Sequence, residues 1–151
     1  MTKKNDRGRR AALLCVVCAA LASAAHICAA LAGCAQKPLR DGVYSGKSSP
    51  DDRGACGEIT ITISRGVVTG CEYVTRQKDG TVKDEQYGKV NGVISNADYY
   101  EKAQRAVRAM SAYAERYAKT GSLDAVEAVS GATIAWNQFR EAAADALSAA
   151  H

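Results

Sequence analysis

Between residues 58 and 64 apolar and polar side chains alternate without a break, with Ile59, Ile61 and Ile63 on one face and Glu58, Thr60, Thr62 and Ser64 on the other. A period of two marks a half-buried strand. Arg65-Gly66 supplies a two-residue turn, and Val67 to Gln77 returns as the antiparallel partner. The return loses phase after Val68, because the next apolar positions on one alternation are Cys71 and Tyr73. A bulge at Thr69-Gly70 restores it, glycine being a natural bulge residue. That register sets Cys71 opposite Ile61 and Tyr73 opposite Ile59. Upstream, Gly42-Val43-Tyr44-Ser45-Gly46 reads as a brief first strand, and Ser48 to Gly57, with Pro50 and two glycines, as a loop.

Further on the period lengthens. Tyr99, Ala103, Ala106, Met110, Tyr113 and Tyr117 recur at steps of four and three, the buried stripe of a helix running from Asp98 to Thr120. Asp98 with Glu101 three residues later is a capping-box-like start, and Gly121 a natural stop. A second helix, from about Ile134 to Ala149, buries Trp136, Phe139, Ala143 and Leu147. The polar stretch Thr81 to Lys89 forms a short hairpin or an ordered loop. Together these elements predict an α+β domain, a small antiparallel sheet of two to four strands packed against two main helices.

The N-terminus follows another logic. Residues 1–10 carry Lys3, Lys4, Arg7, Arg9 and Arg10 against the single acid Asp6, and no charge follows until after residue 33. A basic start followed by an apolar run is the pattern of an export signal. The run is also long enough to span a bilayer, so an uncleaved anchor remains open. It ends in Leu31-Ala32-Gly33-Cys34, which resembles a bacterial lipobox. The chain then divides into a lipoprotein signal peptide (residues 1–33), a lipidated tether (34–40) beginning at Cys34, and one folded domain (41–151). The expected location is the extracytoplasmic face of the bacterial cytoplasmic membrane.

This division changes the charge and cysteine readings. The chain has 20 basic and 16 acidic side chains; without the five and one of the leader, 15 of each remain. The basic balance belongs to the signal and gives no reason to expect a nucleic-acid partner. Only Cys56 and Cys71 are left in the folded part. The predicted register makes Cys71 a core thiol and puts Cys56 outside disulfide reach unless the loop folds back. Histidine occurs only at His26, in the signal, and His151, the last residue. Histidine-dependent nucleophilic catalysis and histidine-bound zinc or haem are therefore not expected.

Candidate chemistry lies between the helices, in Glu127-Ala128-Val129-Ser130-Gly131-Ala132-Thr133. Small polar residues here can simply cap the last helix. The same geometry also builds a phosphate site, with free N–H groups at a helix start, glycine allowing close approach, and the Thr133 hydroxyl at the phosphate.

Ser130-Gly131-Ala132-Thr133, preceded by Ala128-Val129, resembles the flavinylation motif of the FMN-binding domain family. That domain occurs in subunits of sodium-pumping and related NADH:quinone oxidoreductases and in extracellular flavin lipoproteins. Asp41 to Gly46, the Gly57 to Val74 hairpin, Tyr87-Gly88-Lys89 and the final helix fall in the family's order, so the resemblance covers residues 41–149. It implies that a flavin transferase uses FAD and Mg²⁺ to join FMN to a threonine hydroxyl by a phosphoester, releasing AMP. Thr133 is the matching acceptor, Gly131 and Ala132 allow the backbone to approach, and Ser130 orders the turn. A flavin needs flat apolar walls, so the resemblance also makes Tyr87-Gly88, in an otherwise polar loop, a candidate for lining the ring, as are Tyr44, Tyr73 and Trp136. The family usually has aspartate six residues before the threonine; here that position is Glu127.

The resemblance implies an electron carrier in which the flavin does the redox chemistry and the protein sets its position and potential. It would draw on a membrane oxidoreductase or the quinol pool and pass electrons to an exported reductase or extracellular acceptor. A stand-alone reductase fits less well, since the chain has no dinucleotide glycine fingerprint and no obvious proton-donor set. A non-redox surface lipoprotein binding a ligand or partner on the same fold is the alternative.

Overall fold

The computed structural model describes residues 38–151. The signal segment, Cys34 and the tether up to residue 37 lie outside the described residues. Strand β1 spans Gly42–Lys47, β2 spans Cys56–Ser64 and β3 spans Val67–Arg76, in the antiparallel order β1-β2-β3. Arg65 and Gly66 both take positive φ, 54° and 75°, the condition for a tight turn whose twist matches the strands. Thr62 pairs with Gly70 and Ile63 with Val68, leaving Thr69 as the extra residue of a bulge. Beyond it Cys71 faces Ile61 and Tyr73 faces Ile59, the expected register.

Helix α1 runs from Ala97 to Thr120. Its cap is Asn96, whose side chain accepts from the Tyr99 N–H, rather than Asp98. Ala97 is a strong helix former, so the helix extends back to the next side chain able to cap it. Asp98 sits inside the first turn, where its charge complements the helix's positive end. Gly121 ends the helix in the left-handed conformation, φ 66°, donating to the Tyr117 carbonyl. A short 3-10 turn, Leu123–Ala125, follows and was not signalled by the pattern.

Helix α2 spans Thr133–Ser148. Phe139 and Ala143 are buried as expected, but Trp136 and Leu147 are only half-buried. The face turned inward is instead Ala135, Gln138, Phe139, Ala142, Ala143 and Ala146. The reason is close approach to the sheet: a methyl at Gly46 would collide with the α2 backbone at Ala142 and Ala146. Small side chains let the helix settle on β1 and β2, while the large ones move to its margin. Phe139 anchors the centre, its ring 5.1 Å from Tyr73, 5.5 Å from Tyr113 and 6.0 Å from Tyr117.

Cys56 and Cys71 are both free. The ladder explains it, since Cys56 pairs with Arg76 and Cys71 with Ile61. Burial, with the Glu72 charge adding to it, pushes the Cys71 thiol up to about 12. No helix among the described residues is long and apolar enough to cross a membrane.

Candidate functional site

A cleft of about 530 Å³ opens between the Asp51–Arg53 loop, the segment carrying Lys83 and Tyr87, and the start of α2 at Gly131–Ile134. Its buried lining comes from Thr75, Met110, Ala132, Ala135 and Gln138. Two loops are held rigidly around it. Asp51 Oδ1 accepts from the N–H groups of Arg53 and Ala55, each at 2.9 Å, folding the first loop on itself. The segment of Lys83 pairs alongside the end of β3, its N–H donating to the Thr75 carbonyl at 2.8 Å. Gln104 on α1 then donates to the carbonyls of Asp84 and Tyr87, at 3.0 and 2.9 Å. Gly88 lets this loop press against α1: it takes φ 97°, and a methyl there would lie 2.9 Å from Ala103 Cβ. Gly88 thus acts by packing, and it delivers Tyr87 to the cleft.

The electrostatics follow from burial and pairing. Lys83 Nζ lies 3.5 Å from Asp51 Oδ2, with both side chains largely shielded, and 5.2 Å from the centre of the Tyr87 ring. Burial works to raise the Asp51 carboxyl, but the Ala55 and Arg53 N–H groups and Lys83 outweigh it and hold it lowered. Burial, then the hydrogen bond with Tyr99, pushes the Tyr87 phenol up to about 12.

The motif turn closes through the Ala132 N–H, which donates to the Val129 carbonyl at 3.0 Å. Gly131 sits in it at φ 79°, where a side chain would be strained. Tyr113 Oη accepts from the Val129 N–H at 3.0 Å and fixes the turn to α1. The capping role open to Ser130 and Thr133 is not taken up: the cap position falls on Ala132, with no side-chain bond. The first N–H groups of α2 are thus uncapped, and exposed Thr133 is the helix's first residue. A methyl on Gly131 would lie 3.5 Å from Arg105 Cδ and Nη1, so a guanidinium stands beside the turn.

Thr133, Gly131, Ala132 and Tyr87 therefore share one cleft. Gly88 borders an adjoining one with Tyr87, and Ser130 is exposed at the turn. Glu127 lines a different cleft of about 410 Å³ together with Arg116 and Lys119. Tyr73 is buried against Phe139, Trp136 stacks on Phe139, and Tyr44 packs against the core; none of the three lines the Thr133 cleft.

Sequence reasoning missed Asp51, Arg53, Lys83, Arg105 and Gln138. Nothing in the pattern marks the four charged residues, which come together only through the loops. Gln138 did carry a signal, a polar side chain on the inward face of an apolar helix. Its Nε2 donates to the Ala55 carbonyl at 2.6 Å, while its Oε1 is buried with no partner. An orphaned acceptor of this kind costs about 1–3 kcal/mol until something bonds it.

The volume lies in the range of small-ligand sites. One aromatic wall, a buried orphan acceptor and, at the rim, uncapped N–H groups beside an arginine suit a planar ring with a polar edge and a phosphate tail. Fold and site together define a small α+β domain of the flavin-nucleotide-binding kind. The FMN-binding domain family matches residues 56–148, more than half of the chain, and the chain belongs to it. It is a flavoprotein domain, and its cofactor is FMN. β1 precedes the matched residues but joins the same sheet through β2. Among solved structures, the CPE2226 protein from Clostridium perfringens superposes with a TM-score of 0.58 at 22% identity, covering 74% of this chain and 88% of that one. At that identity the likeness is one of fold. No curated protein matches the chain.

Proposed function

We propose that this protein is an extracytoplasmic electron carrier, tethered to the membrane by lipid on Cys34, with FMN joined to Thr133 by a phosphoester. The observation that carries the reading is the position of Thr133, a hydroxyl on the first residue of α2 at a cleft whose helix start is uncapped. A phosphodiester there leaves one negative charge, which suits both the helix's positive end and Arg105. Bound FMN supplies the redox chemistry, and Tyr87 offers a flat face to its ring.

The cleft also favours a carrier over a stand-alone reductase. Asp51 is committed to two N–H groups and Lys83, and Tyr87 holds its proton to about pH 12. A general acid or base works best with a pKa near the operating pH. The proposed donor is a membrane oxidoreductase or the quinol pool, the acceptor an exported reductase or extracellular oxidant, and a flavin transferase loads the FMN.

The test is co-expression with a flavin transferase, followed by flavin fluorescence of the denatured gel band. Fluorescence in wild type that disappears in Thr133→Val supports the assignment. Fluorescence that persists in Thr133→Val places the linkage elsewhere. A yellow native protein with no fluorescent band means that FMN is held without a covalent bond.

A further inference from the structure

The buried end of the cofactor cleft holds two polar groups that the fold itself barely uses. The Ala55 carbonyl can only accept, so the nitrogen of the Gln138 amide must face it, which fixes Oε1 as the orphan. Gln138 is only 5% exposed and lines the cleft. In the same cleft the Thr75 hydroxyl, on a residue 1% exposed, donates at 2.9 Å to the sulfur of Met110, a weak acceptor. Both Thr75 and Met110 line the same cleft.

An acceptor without a donor, sharing a cleft with a donor spent on a thioether, matches an imide edge, in which one N–H stands between two carbonyls. The isoalloxazine ring of FMN has such an edge. We propose that Gln138 Oε1 accepts the ring imide N–H of FMN, and that the Thr75 hydroxyl turns from Met110 to a flanking carbonyl. This inference rests on the FMN reading above and adds to it the residue that recognises the ring. The phosphate end, held at Thr133, provides anchorage. Gln138 provides selectivity, because a ring without an N–H at that edge leaves the buried oxygen unpaired.

The full chain, produced without flavin transferase, is titrated with FMN and with 3-methyl-FMN, in which a methyl replaces the imide hydrogen. Flavin fluorescence reports binding. Wild type is expected to bind FMN at least about tenfold more tightly than the methylated analogue, and Gln138→Leu to bind the two about equally. Equal affinities in wild type would overturn the proposal, as would a preference that survives in Gln138→Leu, which would assign it to crowding alone. Because loss of the bond to Ala55 can unsettle the fold, a second measurement leaves the protein unaltered. With FMN labelled with ¹⁵N at the imide nitrogen, a slowly exchanging N–H signal in the bound state supports the bond, and rapid exchange with water overturns it. Absence of binding by either flavin, together with no loading by the transferase, would remove the FMN reading itself and this inference with it.

Discussion

The Tyr73 hydroxyl donates to the Ala135 carbonyl 3.2 Å away, so the middle of β3 grips the first turn of α2 just beyond Thr133. Both groups are buried, and the ring is set edge-on to Phe139. Tyr73→Phe keeps that packing and removes only the tie. Stability is expected to fall by about 1 kcal/mol. Urea denaturation would show this as a lower midpoint at unchanged slope. An unchanged midpoint would mean that the first turn of α2 is held by packing alone.

Gly46 lies where α2 comes down on the sheet, and what an added methyl meets is backbone at Ala142 and Ala146, not the end of a flexible side chain. Gly46→Ala must therefore lift the helix. A loss of about 2 kcal/mol is expected, in the range for overpacked cores. Thermal melting checks it, with Val43→Ala on the exposed edge strand as the comparison, since Val43 is 66% exposed and its removal should change little.

The expected pattern and the observed fold agree best where a period of two meets a single buried face. A one-residue slip would turn Ile59, Ile61 and Ile63 to solvent, so the register and even the Thr69 bulge were readable. The rotation of α2 was not readable, because what draws its alanines inward is the bare backbone of Gly46, about a hundred residues away in sequence. Its large residues, Trp136 and Leu147, gave the stronger and misleading signal. At α1, Asn96 and Asp98 are both capping types two residues apart, and the helix-forming Ala97 between them carries the start back to Asn96. Thr133 and Tyr87, singled out by motif and loop composition, line one cleft. The Asp51–Lys83 pair and the Ala55–Gln138 bond join segments whose approach depends on the whole fold.

Alkaline pH should weaken the domain. Burial raises Cys71, Tyr73, Tyr87 and Tyr117 to about 12 each, against ordinary values of 9.0 for the thiol and 10.0 for the phenols. The fold thus favours the neutral forms. Between about pH 9 and pH 12 the unfolded chain releases protons that the native state retains, so stability falls as pH rises. It is fully present below that window and largely spent above it. Urea midpoints at successive pH values should decline through the window; a flat profile would show that these groups open to water before they ionise.

Under the proposed function, Glu127 is expected to separate loading of the flavin from holding it. It is exposed in a cleft with Arg116 and Lys119, apart from the one that Thr133 shares with Tyr87 and Gln138. With Thr133 as the proposed acceptor, an exposed carboxylate six residues before it and outside its cleft would meet the loading enzyme rather than the bound ring. Glu127→Ala is therefore expected to slow covalent loading by the flavin transferase about tenfold or more, the scale of a lost charged contact across an interface. Affinity for free FMN, measured without the transferase, should stay within about twofold of wild type, since no cleft group is touched. Glu127→Asp restores the family's usual residue and should load at least as fast as wild type. Fluorescence of the denatured band over a time course reads the first effect, and flavin titration the second. Equal losses in both would place Glu127 in contact with the cofactor and reverse the assignment.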